Sequence, residues 1–239
     1  MRALLLVLCW LLMSPRVWAE ASRSFDGTND TVSWGNNLDV TTGSFSLCAW
    51  TNMTEDATAD IIASKKLDGT GSTPGYFLAQ LSTDLMRCYA QDTSSTTAGT
   101  TDSTTDVDGV WYCICCVWDG GSNDDMYIYV NGTNESSDTA DAEGSITTTQ
   151  NFIVGELADG SVDALGLISY VSFASRVFRV QEVLEVQWHS CSIDLDACLP
   201  LWGDSTEIDL GPSDLSGTVA GATTSTNGPP TMVGGYMVL

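Results

Sequence analysis

The sequence predicts an all-β protein of short strands joined by tight turns, with one short helix near its C-terminal end. From Ser22 onward Thr, Ser, Gly, Val and aromatic residues crowd together, broken by the turn clusters DGTND, TTGS, DGTGSTPG, DGGSND and NGTNES. Met126-Tyr127-Ile128-Tyr129-Val130 alternates with period two and ends in Asn131-Gly132, a pair able to take the positive φ angles of a type I′ hairpin turn. Helical spacing occurs in one place, where Val180, Val183, Leu184 and Trp188 recur in RVQEVLEVQWH. A chain of 239 residues is long enough for one large domain with its own core.

Residues 1–19 read as a secretory signal: Arg2, an apolar run from Ala3 to Met13, the helix-breaking Pro15, and small residues around Ala19. That run is too short to span a membrane, which takes about 20 apolar residues, and nothing later resembles a second span. The expected product is a secreted or extracellular-surface protein, virion surfaces included, with no transmembrane segment in its mature chain. Its formal net charge is -23, and loss of Arg2 and Arg16 with the leader would make it more acidic still. Nucleic acid and anionic lipid are therefore excluded as partners, because both are bound by Lys and Arg displacing counterions. The acidity itself reads as a solubility device or as an attraction for divalent cations.

The strand VWYCICCVW places Cys113 and Cys115 on one face and Cys116 on the other. A zinc site needs four converging ligands, and the one histidine, His189, lies far along the chain. The Cys113 to Cys116 spacing is formally a redox CxxC but lacks the helix N-terminus that lowers a thiol pKa. These cysteines read either as buried small apolar side chains or as disulfide partners for Cys48 or Cys88. Cys191 and Cys198 bracket the loop CSIDLDAC and form the favoured disulfide, a small ring contributing about 2 kcal/mol.

SFDGTNDTVSW with LDVTTGSFSLCAWTN, then DGVWYCICCVWDGGSNDDMYIYVNGT, then FIVGELADGSVDALGLISYVSFASRVFRVQEV occur in an order and spacing that resemble the laminin-G-like, concanavalin A-like jelly-roll family of lectins and glucanases. The resemblance covers residues 22–190 and implies a two-sheet antiparallel jelly-roll sandwich. Many members hold a structural calcium through the Asp of the Phe-Asp-Gly turn and an acidic position after Gly-x-Ile. Here Asp26 is retained, but Ser169 and Tyr170 stand at the acidic positions, leaving Asp163 as the substitute ligand. Residues 191–239 form a C-terminal extension. Its Asp-x-Ser-Gly turn and Gly-Ala-Thr end resemble a segment that in the family precedes the first strand, which implies an edge strand packing back on the sandwich, or else an extended tail. The final MVGGYMVL is apolar and suited to binding a neighbour unless docked.

The family resemblance implies an exported, non-catalytic binding module for a glycan or a surface protein, with its site on the loops. A structural subunit of a cell surface or virus particle is the alternative, since fold does not dictate function. Trp34 and Tyr76, each beside turn residues, are the candidate aromatic platforms for a sugar, although each also reads as core. A glycoside hydrolase is disfavoured: Glu207-Ile208-Asp209 begins a Glu-x-Asp-x-x-Glu pattern, but Pro212 occupies the second Glu position. Asn29, Asn52, Asn131 and Asn134 lie in Asn-x-Ser/Thr sequons.

Overall fold

The computed structural model describes residues 21–41, 43–69, 73–93, 99–120, 125–139, 145–189, 191, 193–203, 205–233 and 236–238. Residues 1–19, read from sequence as a secretory signal, lie outside them, as do the side chains of His189 and of the apolar C-terminal end. The strands in chain order are β1 (Ser22–Asp26), β2 (Thr31–Ser33), β3 (Ser44–Met53), β4 (Asp60–Lys65), β5 (Gly75–Gln80), β6 (Leu85–Gln91), β7 (Gly99–Asp106), β8 (Tyr112–Asp119) and β9 (Asp125–Val130). They continue with β10 (Thr133–Thr139), β11 (Ile153–Val154) and β12 (Leu165–Ala174), then helix α1 (Val180–His189). After it come β13 (Ala197–Leu199), β14 (Thr206–Ile208), β15 (Ser216–Ala220), β16 (Thr223–Ser225), β17 (Thr231–Val233) and β18 (Tyr236–Val238).

Two antiparallel sheets form a sandwich. The first runs β10-β9-β8-β3-β12-β1-β16, with β13 also paired to β12; the second runs β14-β15-β2-β11-β4-β5-β6-β7. β1 pairs with residues 165–168 of β12 and β13 with residues 171–173. Between these two stretches the register shifts and Tyr170 takes a φ of 47°, so one long strand serves two short neighbours laid end to end. The β9–β10 turn has φ of 48° at Asn131 and 76° at Gly132, as the type I′ reading requires. Asn131 has a second role, since its Oδ1 accepts the Cys113 amide at 2.9 Å.

The face alternation of β8 sorts its side chains between two cores. Ile114, Cys116 and Trp118 enter the main core between the sheets, with Phe45, Tyr76, Phe152 and Phe173. Cys113, Cys115 and Val117 enter a second core beneath α1, with Trp50, Tyr129 and Phe178. The helix lowers Val183 and Val186 into this layer, while Val180 is 58% exposed. Helical spacing located the element; of its four apolar positions Val183 is buried, Leu184 and Trp188 are partly so and Val180 is exposed, because the face that packs is chosen by the sheet beneath it.

Of the two readings left open for the cysteines, the structure favours bonding for two of them. Cys115 joins its register partner Cys48, and Cys116 joins Cys88 on the opposite sheet. Cys191 joins Cys198, and Cys113 remains a buried free thiol whose pKa burial pushes up to about 12. Opposite faces of one strand thus make one bond within a sheet and one through the core.

The extension is not a tail. β15 pairs with β2 and carries β14 at its far side, β13 pairs with β12, and β16 pairs with β1. It lengthens both sheets rather than adding a single edge strand. On the other side of the sandwich Glu135 of β10 accepts the amides of Thr104 at 3.0 Å and Thr105 at 2.9 Å, tying β10 to β7.

Candidate functional site

The residues suggested as aromatic platforms are both in the core. Trp34 is 2% exposed and lies against Phe152 and against Gly217 of β15, so the extension covers it. Tyr76 is fully buried, with its ring 4.8 Å from that of Phe45 and its hydroxyl donating to the Leu38 carbonyl at 2.8 Å. Neither presents a ring to a ligand. Period-two alternation assigns each to one face of its strand, but only the position of the facing sheet makes that face the inside.

The Phe-Asp-Gly turn brings together Asp26, Asp30 and Asp163. Asp26 accepts the Thr28 amide at 2.9 Å, Asp30 the Asp26 amide at 2.9 Å, and Asp163 the Asn29 amide at 2.8 Å. Burial raises the Asp30 pKa, opposed by the Asp26 amide and supported by the charges of Asp26 and Asp163. Backbone amides therefore already hold one oxygen of each acid. Among the described residues no three Asp, Glu, His or Cys side chains converge to hold a metal ion.

Glu207 and Asp209 are structural. Glu207, wholly buried, accepts from Arg23 Nε at 2.6 Å and from the Gly203 amide at 2.9 Å. Arg23 also donates to the Ala222 carbonyl at 2.8 Å and to that of Gly203. Asp209 accepts the Cys198 and Gly211 amides at 2.8 and 2.7 Å. Both carboxylates are buried, and neither is presented on the surface to a glycosidic bond.

A more open feature lies where β4 leaves the second sheet. Lys65 and Lys66 are both fully buried, although their chain carries only eight Lys and Arg. Lys65 Nζ donates to Asn36 Oδ1 at 2.6 Å and to the Gln150 carbonyl at 2.8 Å, with Asp39 at 3.2 Å. Lys66 Nζ donates to Thr73 Oγ1 at 2.9 Å and to the Thr73 carbonyl, and lies 5.3 Å from the centroid of the Tyr89 ring. Burial lowers both pKa values, while Asp39 and Asp68 respectively raise them. Each ammonium pins one segment, Lys65 the strip ending at Gln150 and Lys66 the turn at Thr73.

Between those segments is a cleft of about 370 Å3, with Leu67, Thr73 and Pro74 on one wall and Thr147 to Gln150 on the other. Its residues are at least partly exposed; the Thr73 hydroxyl is taken up by Lys66 and Asp68 and that of Thr147 by the Val40 carbonyl, with Leu67 and Pro74 adding apolar surface. Next to it on the outer face of the sheet, Phe77 and Tyr89 stack at 4.4 Å and 5°, and Tyr89 donates to Gln91 Oε1 at 2.9 Å. Sequence reasoning missed this site. The signal available was the adjacent Lys65-Lys66 pair in so acidic a chain, followed at a distance by the run Thr147-Thr148-Thr149-Gln150.

Solved structures of the same architecture include a candidate carbohydrate binding protein from Bacteroides ovatus ATCC 8483, with a TM-score of 0.66 at 17% identity. That match covers 90% of this chain, which spans 62% of the other. A SAP-like pentraxin from Limulus polyphemus matches with a TM-score of 0.56 at 16% identity, covering 71% of this chain and 82% of that one. The CBM40 of a Ruminococcus gnavus IT-sialidase, bound to α2,3-sialyllactose, matches with a TM-score of 0.52 at 15% identity, covering 70% and 97%. No curated protein sequence matches the chain. At these identities the likeness establishes the fold alone. A family model matches residues 26–184, and with the two-sheet architecture just described the chain belongs to the concanavalin A-like lectin/glucanase superfamily.

Proposed function

We propose that this chain is an exported, non-catalytic glycan-binding module whose sugar lies in the cleft between Thr73-Pro74 and Thr147–Gln150. The observation that carries this reading is the cleft's lining: Thr148, Thr149 and Gln150 bring hydroxyl and amide groups to its rim, while Leu67 and Pro74 supply apolar contact. The buried lysines support it by fixing both walls before any ligand arrives, which limits the ordering cost of binding. Structural neighbours that include carbohydrate-binding modules are consistent with it, as are three disulfides with an extracellular location. Among the described residues no helix is long and apolar enough to cross a membrane.

A glycan array probed with the protein, followed by competition with the free sugar, tests the proposal. The expected result is a defined set of glycans whose binding weakens about tenfold in Gln150→Ala, the loss of roughly 1.4 kcal/mol of polar contact. Absence of glycan binding, together with capture of surface proteins that free sugar does not compete, would overturn this reading in favour of an assembly subunit.

A further inference from the structure

In the second sheet, one buried amide is hydrogen-bonded to one carboxylate and has another as its register partner on the next strand. Gln80, 1% exposed at the end of β5, donates through Nε2 to Asp84 Oδ1 at 3.4 Å, and its Oε1 is buried without a hydrogen-bond partner. Its register partner across the β4–β5 ladder is Asp60, itself 2% exposed. Directly opposed residues of an antiparallel pair carry their side chains on the same face within reach of each other. Asp60 Oδ1 accepts the Leu165 amide at 2.6 Å, linking the second sheet to β12 of the first.

An amide has its two N–H donors on one side and its carbonyl on the other. Placed between two ionised carboxylates, it can donate to one, and then turns an acceptor toward the other. Reversing the amide only exchanges which carboxylate is opposed. A hydrogen on one of the acids resolves the conflict, and Asp60 is the more buried of the two.

We propose that Asp60 is kept as a neutral carboxylic acid whose O–H donates to Gln80 Oε1, making this joint between the sheets a proton-dependent element of stability. The surroundings agree. The charges of Asp56 and Asp84 act on Asp60, those of Asp106, Asp108 and Asp56 act on Asp84, and no cation forms a salt bridge with Asp60 among the described residues. Burial, with smaller contributions from the Asp56 and Asp84 charges, raises the Asp60 pKa to about 7 against the opposing effect of the Leu165 amide. The folded protein therefore binds this proton more tightly than the unfolded chain, whose value is near 3.8. The contribution is complete below the unfolded value and is lost as pH rises through the folded one.

Two measurements test the proposal. In the folded, isotope-labelled protein the Asp60 13Cγ resonance is expected to titrate close to neutrality, and a midpoint in the ordinary carboxylate range overturns the proposal even if no variant folds. Asp60→Asn supplies a permanent N–H donor in the same place. It is expected to raise Tm by several degrees above neutral pH, to change it little well below, and so to flatten the pH dependence. A stabilisation of the wild type by calcium that Asp60→Asn abolishes would show a cation filling the position instead, and would likewise overturn the proposal.

Discussion

Glu207 illustrates how a residue type can point to chemistry that its environment prevents. In sequence it begins a glycosidase-like carboxylate pattern; in the fold it is the buried counter-ion of Arg23, reached across 184 positions. Removing one partner of a buried pair leaves an uncompensated charge, so Glu207→Ala is expected to lower stability by about 3–5 kcal/mol in urea unfolding. A loss below about 1 kcal/mol would show that water reaches Arg23. Asp26 is the complementary case, a residue named as a calcium ligand that serves first as a turn cap. Calcium there remains a proposal. With one oxygen each of Asp26 and Asp163 accepting an amide, the remaining carboxylate oxygens are the ones that would meet the ion. Tm is then expected to rise slightly in millimolar calcium over EDTA through mass action, and Asp26→Asn to remove the difference; equal Tm values in calcium and EDTA would end the proposal.

Among the elements, β8 most clearly separates what alternation reveals from what pairing adds. Its pattern assigns Cys115 and Cys116 to opposite faces, and both faces prove to be buried. A small side chain suits either core, so burial alone does not distinguish a thiol from a half-cystine. The distinction comes from Cys48 and Cys88 standing opposite, on β3 and β6. Replacing Cys88 and Cys116 together by alanine is expected to cost about 2–5 kcal/mol, since their bond closes a loop between the two sheets. Cys113→Ala should cost only about 1 kcal/mol, the worth of a small buried group. Comparable losses in the two variants, measured by denaturant unfolding, would mean that the intersheet bond contributes no more than its packing. Helix α1 teaches the same lesson at lower cost, because its position follows from spacing whereas its buried face follows from the sheet surface beneath Val183 and Val186.

For the whole molecule, acidity and fold act separately. Most of the 31 Asp and Glu residues keep the surface solvated, while the interior is organised by strand alternation and by a few buried ionisable groups, Asp60 and Glu207 among them, with Lys65 and Lys66 behind the proposed sugar cleft. The sequence by itself determined the all-β class, the Asn131-Gly132 hairpin, the two faces of β8, the place of the helix and the superfamily. All of these depend on neighbours within a few residues, or on the order of local motifs along the chain. Tertiary structure alone decided that Trp34 and Tyr76 face inward, that the extension joins both sheets, that Arg23 meets Glu207, and that Gln80 bonds Asp84 while paired in register with Asp60. It also decided where the cleft lies, since Thr73 and Thr147 come from separate connections that approach only when β4 and its neighbours are assembled. The physical reason is that local periodicity selects the face on which a side chain projects, whereas the group it meets is selected by sheet order and register, which exist only once distant strands have paired.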